Sequence, residues 1–135
     1  MEKLLSYINE SQNKKEFIII KPGFLDKKNE ILNILKEHSI IPVRELQKTL
    51  TMPEARKLYK PHAKEDFYED LCKYMTESDS IGMVLCNYGE TDLLKLKDEI
   101  RKKFAIDEMR NAIHSSDSGL NVFRESRIYF ATPKC

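Results

Sequence analysis

The residues whose chemistry raises the first question are His114, Ser116 and Glu125. His114 sits in the run Arg110-Asn111-Ala112-Ile113-His114-Ser115-Ser116-Asp117-Ser118. A short apolar rise, then small hydroxyls and an acid, reads as a strand end passing into a turn. Ser116, Asp117 or Ser118 would then cap a following helix, because a short side-chain oxygen can accept from the free N–H groups of a first turn. Glu125 lies 11 positions after His114, inside that predicted helix, where it can turn back toward the ring. An imidazole titrates near neutral pH, and a nearby carboxylate can fix its tautomer. That is the layout a nucleophilic or acid–base histidine needs. From spacing alone, the same residues fit equally well a surface or turn histidine that merely helps to cap a helix.

These side chains need elements to hold them. Phe17 to Ile20 is an unbroken apolar run rich in β-branched residues, a buried central strand, and Pro22-Gly23 ends it. Lys27 to His38 reads as a helix with Ile31, Leu32, Ile34 and Leu35 along one side. Ile40 to Leu50 suggests a second strand. Thr51 is placed to cap a short helix running to Tyr59, with Pro53 in its first turn and Pro61 interrupting it. A helix over Phe67 to Thr76 stacks Phe67, Leu71 and Met75, and Ser80 to Cys86 is a third strand. Glu90 to Phe104 is amphipathic, with Leu93, Leu96, Ile100 and Phe104 on one face. The His114 strand and a helix over Ser118 to Tyr129 complete the order. Leu4, Leu5 and Ile8 predict a further short helix before the polar break Ser11 to Lys15. The expected organisation is therefore an N-terminal helical extension over 1–15 and a single domain over 16–135. The alternation is an α+β pattern, and it permits a ferredoxin-like four-stranded antiparallel sheet with helices on one face.

Composition excludes some functions. With 135 residues there is enough chain for one domain, and 41% hydrophobic with 33% charged residues argues against global disorder. A net charge of +1 gives no reason to expect a nucleic acid or membrane partner, and the basic residues are not interleaved with aromatics. Lys102-Lys103 reads as a solvated helix face. The cysteines, Cys72, Cys86 and Cys135, are odd in number and have no paired spacing. They argue against a disulfide framework or a zinc site and for a reducing compartment, with a cytoplasmic setting expected. No stretch approaches a membrane span. There is no Walker loop, no Gly-rich nucleotide loop and no Asp-Phe-Gly, so any phosphate would have to be held by side chains.

The run Asn111-Ala112-Ile113-His114-Ser115-Ser116-Asp117-Ser118 resembles the active-site signature of the nucleoside diphosphate kinases, Asn-x-x-His-Gly-Ser-Asp-Ser, departing from it only at Ser115. Other pieces fall in the family's order. Phe17-Ile18-Ile19-Ile20-Lys21-Pro22 resembles the first strand with its Lys-Pro ending. Tyr59, Phe67-Tyr68 and Lys73-Tyr74-Met75 resemble the Tyr…Phe-Phe…Lys-Tyr-Met segment. Ile100-Arg101 with Phe104 resembles Ile-Arg-x-x-Phe, and Glu125 and Phe130 stand where the family closes with Glu and Phe.

The resemblance implies the ferredoxin-like fold and a ping-pong kinase. It would move the γ-phosphoryl group of a nucleoside triphosphate to a nucleoside diphosphate through a phosphohistidine. His114 would be the nucleophile, with Glu125 and Ser116 orienting it. Lys21 would touch the sugar hydroxyl and phosphates, Arg101 the phosphates and Asn111 the sugar hydroxyl. Tyr59 would stand beside the histidine and Phe67 would stack on the base. Mg2+ would travel on the nucleotide phosphates, with no metal ligands in the protein. A homo-oligomer is implied as well. His62 resembles the more divergent members; read by itself, it is a surface histidine on a short helix.

Several positions depart from the family. The region between Cys86 and Arg101 is shorter than the standard and lacks Thr-Gly-Arg, whose arginine also binds phosphate. Lys95, Lys97, Lys102 or Lys103 could substitute. The shortened loop also removes part of the standard assembly contacts. Gly23-Phe24 replaces Asp-Gly, and Glu108 stands where an apolar residue commonly closes on the base. Ser115 replaces glycine beside the nucleophile, which would strain the site if that glycine serves a positive φ. These departures set the alternative expectation: a weak or inactive relative acting as a nucleotide-binding or protein-interaction module.

Overall fold

The structure is a computed structural model, and it describes residues 14–131. The helix expected over 2–10 and Cys135 lie outside the described residues.

Four strands form one antiparallel sheet in the order β2-β3-β1-β4. They are β1 (Lys14–Ile20), β2 (Ile40–Lys48), β3 (Ser80–Asn87) and β4 (Ile113–Ser115). The helices are α1 (Lys28–Glu37), α2 (Met52–Leu58), α3 (Tyr68–Met75), α4 (Leu93–Phe104) and α5 (Gly119–Phe130). Short 3-10 turns over Leu25–Lys27 and Lys60–His62 precede α1 and follow α2. β1 begins at Lys14, inside the stretch that reads as a polar break, because Lys14 and Lys15 continue the ladder opposite Asn87 and Cys86.

The helices cover both faces of the sheet, not one. Ile18 and Ile20 pack with Ile31 and Leu35 of α1 and with Leu93, Leu96 and Ile100 of α4. Phe17 and Ile19 pack with Ala55 and Leu58 of α2, Leu71 and Met75 of α3, and Val122 and Tyr129 of α5. This explains the unbroken apolar run of β1: a strand covered on both sides has no solvent face to make polar. Burying each of the Val, Leu, Ile, Phe and Met side chains among them contributes about 1.5–3 kcal/mol.

Helix starts follow side-chain chemistry. Thr51 caps α2 in a reciprocal capping box with Glu54. α4 starts at Leu93 rather than Glu90, because the Asp92 side chain accepts from the Leu94 N–H at 3.0 Å. Ser118 is the residue that caps α5, accepting from the Asn121 N–H at 3.2 Å.

Candidate active site

β1 and β4 run side by side, with Ile19 opposite His114. This pairing brings the end of β1, which carries Lys21, next to the start of β4. The Lys21 backbone N–H donates to the Ala112 carbonyl at 2.8 Å and extends the join. Around it, α2, α4 and α5 enclose a cleft of about 560 Å³. Every sequence-predicted residue but one, Ser116, lines it: Lys21, Tyr59, Phe67, Arg101, Asn111, His114 and Glu125.

His114 Nε2 is hydrogen-bonded to Glu125 Oε1. Ser116 Oγ donates to the same oxygen at 3.0 Å, so Ser116 joins from behind. Glu125 is buried on α5, one wall of the cleft. A carboxylate can only accept, so Nε2 carries the hydrogen and Nδ1 keeps its lone pair. Among the described residues Nδ1 has no hydrogen-bond partner. Burial pushes the His114 pKa below its usual range, and Glu125 only partly opposes this. The ring is therefore neutral at neutral pH.

Tyr59 meets the ring edge-on, with centroids 5.4 Å apart. Its buried hydroxyl makes no hydrogen bond among the described residues, and burial drives its pKa up. Arg124 sets the position of Tyr59 by donating from Nη1 to the Lys57 carbonyl at 2.7 Å and from Nη2 to the Leu58 carbonyl at 3.2 Å. Sequence reasoning missed Arg124. Its targets lie 67 and 66 residues away, and no local pattern encodes such a contact.

Lys21 Nζ donates to Asn111 Oδ1 at 2.8 Å and to the Met109 carbonyl at 3.2 Å. Asn111 Nδ2 in turn donates to the Glu108 carbonyl at 2.6 Å, which ties the loop before β4 to β1. Burial first, then the positive charges of Arg101 and Lys97, bring the Lys21 pKa down to about 7. Arg101 donates from Nε and Nη2 to the Ile113 carbonyl at 3.0 and 2.9 Å, leaving Nη1 open. Of the four lysines weighed as substitutes, Lys97 lines the cleft.

Phe67 does not stack into the core with Leu71 and Met75. It is the residue before α3, 44% exposed, and its ring lies 5.7 Å from that of His62. Ser115 is not strained. It is an ordinary strand residue opposite Ile18, and the positive φ sits at Ala112 (81°). There the Ile113 N–H donates to the Asn111 carbonyl at 3.1 Å, a three-residue turn that aims β4 into the cleft. Among the described residues no three His, Cys, Asp or Glu side chains come together as a metal cage.

A family model described as nucleoside diphosphate kinase matches residues 14–135. The nucleoside diphosphate kinase of Fervidobacterium nodosum is 33% identical over 130 residues, covering 87% of this chain and 88% of that protein. That of Ignicoccus hospitalis is 30% identical over 129 residues, covering 86% and 88%. The crystal structure of the Aquifex aeolicus nucleoside diphosphate kinase superposes with a TM-score of 0.75 at 23% identity, over 88% of this chain and 96% of that one. That likeness carries the ferredoxin-like α+β fold, and the sequence match carries more: the chain belongs to the nucleoside diphosphate kinase family.

Proposed function

We propose that the protein is a nucleoside diphosphate kinase in which Nδ1 of His114 carries the phosphoryl group. The observation that carries this reading is the hydrogen bond from Nε2 to Glu125, which leaves Nδ1 as the nitrogen with a free lone pair on a ring that lines a cleft shared with Lys21, Lys97, Arg101 and Arg124. Nδ1 attacks the γ-phosphorus of a nucleoside triphosphate. The N–P bond forms as the bond to the β–γ bridging oxygen breaks, and its electron pair leaves with the diphosphate. The ring gains positive character, which the Glu125 carboxylate stabilises. A second diphosphate then attacks the phosphohistidine and regenerates the free imidazole.

Lys21 and Arg101 hold phosphate oxygens, with the open Nη1 of Arg101 available for that bond. Asn111 and Lys21 form the sugar end, and the exposed Phe67 is the platform for the base. The nitrogen-rich donor set suits phosphate oxygens, which fits Mg2+ that arrives as part of the nucleotide substrate and neutralises its charge.

Residues 16–135 act as one domain in this reading, supported by the single sheet with its two packed faces and by the extent of the family match. A homo-oligomer is supported by β2, which among the described residues is an edge strand paired on one side and exposes Ile41, Val43 and Leu46. Sedimentation showing only monomer would remove that part. The buried free thiols of Cys72 and Cys86 suit the cytoplasm. No described helix is long and apolar enough to cross a membrane.

The test is phosphotransfer from γ-labelled ATP with magnesium, quenched in alkali and chased with a nucleoside diphosphate. Label should appear on wild-type protein, leave on the chase, and be absent from His114→Ala. Label that persists in His114→Ala sinks the mechanism.

A further inference from the structure

The cleft holds four cationic side chains, Lys21, Lys97, Arg101 and Arg124. Three of them are engaged. Lys21 donates to Asn111 and Met109, Arg101 donates to the Ile113 carbonyl, and Arg124 donates to the Lys57 and Leu58 carbonyls. Arg124 also reaches Glu125 Oε2 at 3.6 Å. Lys97 makes no hydrogen bond or ion pair among the described residues. It is half-buried on α4, one turn before Arg101, so both side chains rise from the same helix face.

We infer that Lys97 is the uncommitted phosphate ligand of this site, closing its ammonium on the terminal phosphates of a bound nucleotide beside Arg101. The inference rests on the reading that the cleft binds nucleotide phosphates. An ammonium has three donors and no fixed fork, so it can follow an oxygen where the engaged guanidinium groups cannot.

Two further observations fit a polar, charge-compensating ligand in this cleft. Burial and the neighbouring Arg101 both push the Lys97 pKa down, with Asp98 and Asp117 only partly opposing them. The ligand-free protein therefore holds two like charges one turn apart that these acids only partly relieve, which is destabilising. Of the acids that line the cleft, Asp117 is the one that acts on Lys97, and it already accepts from Asn121 Nδ2 at 2.6 Å. The second observation is a pair of buried hydroxyls in the same cleft, on Tyr59 and Ser115, that have no partner among the described residues. A polar ligand would complete both the charges and the hydroxyls.

The experiment is calorimetric titration of ADP and of AMP into the full chain, wild type, Lys97→Met and Lys97→Arg, with thermal unfolding of each ligand-free protein. Lys97→Met should weaken ADP about tenfold and AMP less than about twofold. Lys97→Arg, which keeps the charge, should restore ADP binding. Ligand-free Lys97→Met should melt no lower than wild type, because a repulsion has been removed. Equal losses for ADP and AMP with a lowered midpoint would mark a structural residue and overturn the inference. Unchanged ADP binding in Lys97→Met, or failure of Lys97→Arg to restore it, would overturn it too. Failure of the underlying reading looks different: the wild type itself would neither bind ADP nor label His114.

Discussion

Glu125 Oε1 holds Nε2 of His114 and thereby decides which nitrogen is free. Glu125→Gln keeps the shape of this contact but removes the charge and presents an ambiguous amide. The expected result is a fall in phosphotransfer of up to about 100-fold, the scale on which a misoriented reacting group loses rate. ADP affinity should stay near wild type. Single-turnover labelling from ATP checks this, and an unchanged labelling rate would remove Glu125 from the orienting role.

The depressed pKa of His114 makes a second prediction. An unfolded histidine titrates near 6.5, and the folded one below it. Between those values the unfolded chain binds the proton and the folded chain does not, so this group's contribution to stability is lost as pH falls through the folded pKa. The nucleophile stays neutral over the same window. Phosphotransfer should lose half its rate only at a pH below 6.5. A rate that halves at or above the ordinary histidine value would show a pKa that is not depressed and contradict the effect of burial.

The fold was legible where a single element carries its own signal. The continuous run of β1, the Thr51 cap with Pro53, and the amphipathic stripe of α4 each state in one stretch what they do in space. The His114–Glu125 pair was legible for the same reason, since the two are separated only by one turn and part of one helix. The cover on both sheet faces was not, because it depends on which helix lands on which side. Phe67 looked like core by spacing, yet the chain preceding α3 leaves it outside. Arg124 and the choice of Lys97 among four lysines depend on contacts between distant elements, and no local spacing encodes those. Serine in place of glycine points to strain at Ser115, yet the positive φ beside the nucleophile lies at Ala112, where alanine carries no hint of it.

Ala112 offers a third test. It is fully buried and holds a φ of 81°. A β-branched residue there adds both backbone strain and bulk, so Ala112→Val should cost more than about 2 kcal/mol. For Ala112→Gly, relief of strain of about 1–3 kcal/mol offsets the lost methyl burial and the added chain entropy, and stability should stay close to wild type. Denaturant unfolding of the two variants checks the contrast. Similar losses in both would mean that φ at this position is not the constraint.

Gly82 sits in β3 against the ring of Tyr129, and a Cβ there would fall on the ring atoms. Tyr129 cannot retreat easily, since it is fully buried and its hydroxyl is hydrogen-bonded to Ser80 Oγ at 2.8 Å. Gly82→Ala should therefore destabilise by about 3 kcal/mol through overpacking. A variant with wild-type unfolding would show that α5 can slide on the sheet, and with it Glu125.

Lys21 turns nucleotide binding into a proton-linked event. Its pKa is about 7 in the folded protein against an ordinary 10.5. Between these values the unfolded chain carries the proton and the folded chain does not, so the Lys21 contribution makes the ligand-free protein more stable as pH rises through that window. An arriving phosphate chain reverses the cause of the shift. Its negative charge offsets Arg101 and Lys97, raises the Lys21 pKa and draws a proton from solvent. ADP titrations at about pH 8, run in buffers of different ionisation enthalpy, should therefore show net proton uptake. ADP affinity should fall as pH rises beyond this range, because the proton that completes the site becomes harder to acquire. Proton release, or an affinity independent of pH up to about 9, would mean that Lys21 is already charged in the free protein and that its burial is better compensated than Asn111 and Met109 alone allow.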